Sequence, residues 1–147
     1  MTVIRYTLLS DGSSDAALVP IIEWLIAEHR PDIGLLSQVA EGLSTSDLSL
    51  GKRIPAAIAT YPCDILFVHR DAEGVSIDTR LREIEEASKF SGMACVPIIP
   101  IRMTEAWLFS DEAAIRSAAE NRNGSMSLNI PAKKNLGEAP RSQRRSF

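Results

Sequence analysis

The run from Asp64 to Gly74 constrains this chain more than any other part of it. Ile65, Leu66, Phe67 and Val68 form a short apolar stretch between Pro62 and Gly74. A run of this length, with β-branched and aromatic side chains between turn formers, reads as a buried strand; a helix needs a longer apolar stripe. Just past it stand Asp71 and Glu73, two carboxylates separated by one alanine. In open α/β sheets, ligands bind beyond the carboxyl ends of the strands. Like charges held close repel, so such a pair needs a cation or a shared proton.

The segments on either side alternate between strand and helix patterns. Val3 to Ser10 reads as a first strand, closed by Asp11 and Gly12, with Ser13 or Ser14 able to cap a following helix. Leu18, Ile21, Ile22, Leu25 and Ile26 then recur with helical spacing until Pro31, and Pro20 would kink that helix if it fell beyond the first turn. Ile33 to Ala40 is a second, weaker strand pattern. A Gly/Ser/Thr/Asp-rich loop from Glu41 to Ser49 leads to a helix over Leu50 to Thr60, perturbed by Pro55.

After the central strand, Ser76 is placed to cap a helix with Ile77, Leu81 and Ile84 on one face. Arg80, Arg82, Glu83, Glu85 and Glu86 are expected to be mostly solvated, and Gly92 marks the helix end. Ala94 to Ile101 is a further strand whose Pro97 and Pro100 cannot donate ladder hydrogen bonds, which predicts an edge position or a bulge. Thr104 is a candidate cap for a helix over Glu105 to Phe109, and Ser110 and Asp111 restart it through Ala119. Asn121 to Ser127 reads as loop, with no clear element after Leu128. Strands alternating with helices predict an α/β sandwich with a mainly parallel central sheet flanked by helices.

At 147 residues the chain suits one domain, taken here as residues 1–128, followed by a basic and poorly ordered tail over 129–147. A net charge of −3 gives no global pull toward nucleic acid or anionic lipid. The charge is uneven, however. Lys133, Lys134, Arg141, Arg144 and Arg145 face a single acid, Glu138, in the tail, so the body is more acidic than the average. That tail is either a solvated extension or a phosphate-binding arm. Cys63 and Cys95 lack zinc-site spacing and read as small buried thiols of a reducing compartment. With no signal-peptide pattern and no apolar run of bilayer length, a cytoplasmic location is expected.

In a parallel sheet the loops after the first and central strands share one edge, so Asp11 is expected near Asp71 and Glu73, with Glu105 able to join them. Such clustered carboxylates suit Mg²⁺ or Mn²⁺ rather than zinc, and a metal held there would polarise a phosphoryl oxygen or activate water. Arg70 and Arg102 are candidate phosphate contacts. Each residue also has a plainer reading. Asp11 can be a turn residue, Asp71 and Glu73 a turn with a helix-dipole partner, and Glu105 a first-turn acid. Asp111 reads as a cap, His69 and Trp107 as packing residues, and the arginines as structural partners of the acids.

The acid-Gly pair Asp11 and Gly12 after the first strand, followed by Asp71 and Glu73 after a later one, resembles the Toprim domain of topoisomerases, primases and OLD-family nucleases. Pro100 to Asp111 also resembles a segment of small stand-alone Toprim-like bacterial proteins, some associated with phage-defence loci. The resemblance covers about residues 3 to 120 and implies a Toprim-like three-layer sandwich. It maps the family's catalytic glutamate to Asp11 and its metal-binding aspartates to Asp71 and Glu73. Asp11 is one methylene shorter than the family's residue and Glu73 one longer, and metal sites respond to sub-ångström displacement.

The resemblance implies a Mg²⁺- or Mn²⁺-dependent phosphodiester-acting protein, a nuclease or nuclease-like component of a bacterial defence or nucleic-acid-processing system. Asp11 and Glu105 would be its catalytic acids, and Asp11, Asp71 and Glu73 its metal ligands. The alternative is a catalytically weak or inactive binding subunit that works beside a partner ATPase or nuclease. A third reading, a phosphoacceptor signalling domain, places the acceptor at Asp71. It lacks both the acidic pair after the first strand and a lysine after the Ala94 to Ile101 strand.

Overall fold

The computed structural model of the chain describes residues 2–43, 49–101 and 111–128. Four strands, β1 (Thr2–Leu9), β2 (Ile33–Val39), β3 (Ile65–His69) and β4 (Ala94–Ile98), form one sheet in the order β2-β1-β3-β4. Every pairing is parallel. β1 meets β2 from Thr2 opposite Ile33 to Leu8 opposite Val39. It meets β3 only from Tyr6 opposite Ile65 to Leu9 opposite Val68, so its first half projects beyond β3. Where β3 has not yet begun, the Asp64 carboxylate takes over the ladder and accepts the Arg5 N–H at 2.8 Å. Among the described residues the α-helices are α1 (Leu18–His29), α2 (Leu50–Thr60), α3 (Ile77–Ser88) and α4 (Glu112–Ala118).

Successive strand residues point to opposite faces, and the packing follows that period. Tyr6 and Leu8 on β1, with Leu35, Ile65, Phe67 and Ile98, meet Leu18, Val19, Ile22 and Ile26 of α1. Leu9, Leu66 and Val68 turn to the other face, where Leu50, Ile54 and Ala57 of α2 and Ile84 of α3 cover them. A parallel sheet must be covered on both sides because crossover helices lie on its faces. The α/β sandwich expected from the alternating pattern is therefore present, with one layer of helix on each face.

Local chemistry explains several element ends. The Ser76 Oγ accepts the Thr79 N–H at 3.1 Å and starts α3, and Asp111 Oδ1 accepts the Ala114 N–H at 3.1 Å and starts α4. Gly92, at φ +64°, supplies the left-handed step between α3 and β4. The first helix departs from expectation. Gly12, not a serine, precedes a 3₁₀ turn (Ser13–Ala17), and α1 begins only at Leu18. Pro20 thus falls in the first turn, where its missing N–H has no intrahelical acceptor to lose. α2 runs through Pro55. β4 takes an edge of the sheet, as Pro97 predicts, and ends at Ile98, before Pro100 and short of the Ile101 expected. The expectations for Arg102, Thr104, Glu105 and Trp107, and for the basic tail over 129–147, lie outside the described residues.

Candidate functional site

β1 and β3 are neighbours, yet the chain leaving β1 crosses to β2 on one side and the chain leaving β3 crosses to β4 on the other. The two connections diverge beyond Leu9 and His69, a switch point of the kind at which open α/β sheets form a ligand crevice. Asp11 and Asp71 each stand two residues past their strand. Both sequence-predicted aspartates are thus brought to one edge.

Asp11 is held by cations of the protein itself. Arg53 Nη1 donates to Asp11 Oδ1 at 2.8 Å, and Arg70 Nη1 lies 3.1 Å from Oδ1 and 3.0 Å from Oδ2. The Arg53 side chain is 1% exposed. Its Nε also donates to the Leu43 carbonyl at 2.9 Å, and its Nη2 donates to the Ser10 carbonyl. One arginine therefore fixes the end of β1, the loop before α2 and the Asp11 carboxylate together.

Arg70 continues the network. Its Nη2 lies 3.1 Å from Glu83 Oε1, while Glu83 Oε2 takes Arg80 Nη1 at 2.7 Å. Arg80 Nε donates to the Asp71 carbonyl at 3.0 Å, which ties the start of the crevice loop to α3. Arg80 and Glu83, expected to be solvated, are half-buried instead. They sit at i and i+3 on the side of α3 turned toward the β3 loop, where Arg70 and the Asp71 carbonyl supply partners.

His69, 1% exposed at the end of β3, stands between two more carboxylates. Its Nδ1 is 3.3 Å from Asp15 Oδ2 and its Nε2 is 3.4 Å from Asp71 Oδ1. Asp15 is itself buried in the 3₁₀ turn and accepts the Gly12 N–H at 3.0 Å. Burial disfavours the imidazolium, but hydrogen bonding to Asp71 and the charges of Asp15, Asp71 and Asp11 outweigh it and hold the His69 pKa above its ordinary 6.5. With both ring nitrogens facing carboxylates, only the doubly protonated ring donates on both sides.

Glu73 lies two residues beyond Asp71, exposed, with φ +47°, and Gly74 follows at φ +92°. That left-handed turn carries the Glu73 backbone out of the strand direction. Hard carboxylate oxygens are the right donors for Mg²⁺ or Mn²⁺. As arranged, though, Asp11 spends both oxygens on guanidinium groups and Asp71 faces His69. Among the described residues no group of three His, Cys, Asp or Glu side chains is placed to hold one ion. Among the described residues, then, Asp11 and Asp71 are engaged by cationic side chains of the protein itself.

The sequence pattern points to Asp11, Asp71, Glu73 and Arg70 at this edge, and not to Arg53 or Asp15. A signal for Arg53 was present: with Leu50, Ile54 and Ala57 it falls on the apolar stripe of α2, where an arginine must have a buried partner. Asp15 lies four residues after Asp11 and gave no comparable sign. No protein-family model, curated protein or solved structure matches the chain.

Proposed function

We propose that this chain is a Toprim-like phosphodiester-binding subunit that presents its crevice to nucleic acid and leaves the chemistry to a partner ATPase or nuclease. The observation that supports this reading is the clamp of Arg53 and Arg70 on Asp11. The carboxylate that a metal-dependent enzyme would keep ready for a cation or a proton is already neutralised. Arg53, Arg70 and Arg80, with protonated His69, balance Asp11, Asp15, Asp71 and Glu83 without any added ion.

Arg70 is the residue that would meet a phosphate. It is less buried than Arg53 and shares its guanidinium between two carboxylates, so a phosphate oxygen can take the place of either one. Binding of this kind is sequence-independent and weakens with salt. Titration of single-stranded and duplex DNA and RNA at several salt concentrations tests it: the subunit reading requires binding that Arg70→Gln weakens, with no cleavage in Mg²⁺ or Mn²⁺.

A second reading, the metal-dependent nuclease, draws on one observation. Asp11 and Asp71 follow the ends of adjacent parallel strands, the relation that the Toprim resemblance requires of its acids. On that reading Asp11 and Asp71 would hold Mg²⁺ or Mn²⁺ with Glu73, and the metal would supply phosphoryl polarisation. Metal-dependent cleavage lost in Asp71→Asn would decide for it.

A further inference from the structure

Arg70 and Arg80 converge on one carboxylate. Arg70 Nη2 lies 3.1 Å from Glu83 Oε1 and Arg80 Nη1 lies 2.7 Å from Glu83 Oε2, so each guanidinium takes one oxygen of the same group. Each arginine is also aimed by a bond elsewhere. Arg70 is held through Nη1 on Asp11, and Arg80 through Nε on the Asp71 carbonyl at 3.0 Å. Both arginine side chains are only 18% exposed. These anchors do not involve Glu83, so the two guanidinium groups keep their orientation when Glu83 leaves them.

The two arginines thus form an anion cradle that the chain fills with its own carboxylate. Donors fixed in advance bind an anion with little ordering cost. The two carboxylates on Arg70 are not equally displaceable. Asp11 is also paired with Arg53, whose side chain is 1% exposed, and its departure would strip a buried cation of its partner. Glu83 is 33% exposed. It stands beside a groove of about 630 Å³ that, among the described residues, Ser49, Leu50, Gly51, Thr79 and Glu86 also line. Rotation about its side-chain bonds moves the Glu83 carboxylate toward that groove, where solvent hydrates it.

We propose that Arg70 and Arg80 form a subsite for an internal phosphodiester, and that Glu83 is its built-in competitor, displaced when the ligand binds. The inference rests on the phosphodiester-binding reading above and selects the carboxylate that the phosphate replaces. The ligand class follows from the occupant. A carboxylate spreads one negative charge over two equivalent oxygens, and an internal phosphodiester does the same with its two non-bridging oxygens. Exchange of one for the other leaves the charge balance around Arg70 and Arg80 unchanged. A terminal phosphate brings further negative charge. The Asp11 carboxylate, 3.0 Å from Arg70 Nη1, would repel it.

Fluorescence anisotropy with a short labelled single-stranded DNA, with and without a 5′-phosphate, tests this on the full chain. Glu83→Gln, with Glu83→Ala as a second variant, should bind about tenfold more tightly than wild type, the effect of removing one charge-assisted competing contact. Glu86→Gln makes the same charge change one turn along α3 and should leave affinity near wild type. Arg80→Gln added to Glu83→Gln should abolish the gain, with circular dichroism unchanged in every variant. The 5′-phosphate should make no difference. Wild-type binding that Arg70→Gln weakens but neither Glu83 variant strengthens would overturn the competitor and leave the phosphodiester-binding reading standing. Equal gains in Glu83→Gln and Glu86→Gln would overturn it as well, and preference for the 5′-phosphorylated strand would overturn the ligand class. No binding by wild type or by either Glu83 variant would overturn both the competitor and the reading on which it rests.

Discussion

Arg53 and Asp11, 42 positions apart in sequence, form a 2.8 Å ion pair in which the arginine is almost wholly buried and the aspartate about one-third exposed. Removing one member of a buried pair is costly because the other charge loses its compensation. Arg53→Met should therefore destabilise the fold by about 3 kcal/mol, the low end of the range for buried pairs because Asp11 still reaches solvent. Asp11→Asn should cost less, since Arg53 keeps the Ser10 and Leu43 carbonyls. Urea unfolding of the two variants beside wild type measures the order.

His69 makes stability depend on pH. Its folded-state pKa lies above its ordinary 6.5, so the imidazolium contributes fully below about pH 6.5 and the contribution is lost as pH rises through the raised value. The urea midpoint should fall on going from pH 6 to pH 8.5. In His69→Gln that fall should be absent, because no group between Asp15 and Asp71 then titrates in this range.

Gly74 lies at φ +92°, where a side chain is strained. Gly74→Ala should cost on the order of 1–2 kcal/mol and disturb the turn that follows Asp71. Heteronuclear NMR spectra of this variant should show shifts concentrated from His69 to Val75, with β2 resonances unchanged.

The Ser76 cap offers a control remote from the crevice charges. Ser76→Ala should lower stability by about 1 kcal/mol through loss of the bond from the Thr79 N–H, without changing nucleic-acid affinity. A large affinity loss in this variant would mean that the binding assay reports stability instead of contact.

The fold was legible in the sequence because local and global signals agreed. Ile65 to Val68, bounded by Pro62 and Gly74, became the body of β3, and the Ser76 cap and Pro97 of β4 acted as their chemistry predicts. Even the weak pattern from Ile33 became a strand, because β1 pairs with it along its whole length. That Asp11 and Asp71 share one edge followed from the parallel direction of the strands they follow. Their partners did not: the apolar stripe of α2 marks Arg53 as buried, but nothing in the pattern ties it to Asp11 42 positions away, or Arg70 to Asp11 59 positions away. Arg80 and Glu83 show the same limit: charge pattern on a helix says what is polar, and only packing decides which polar side is enclosed.

The most direct test of the charge-compensated crevice follows binding and cleavage of a fluorescent single-stranded oligonucleotide in one sample, with Mn²⁺ present, for wild type, Arg70→Gln and Asp71→Asn. The prediction is salt-sensitive binding by wild type, weakened in Arg70→Gln, with the oligonucleotide intact in all three. Cleavage by wild type that disappears in Asp71→Asn would contradict it and place a working metal centre at the end of β3.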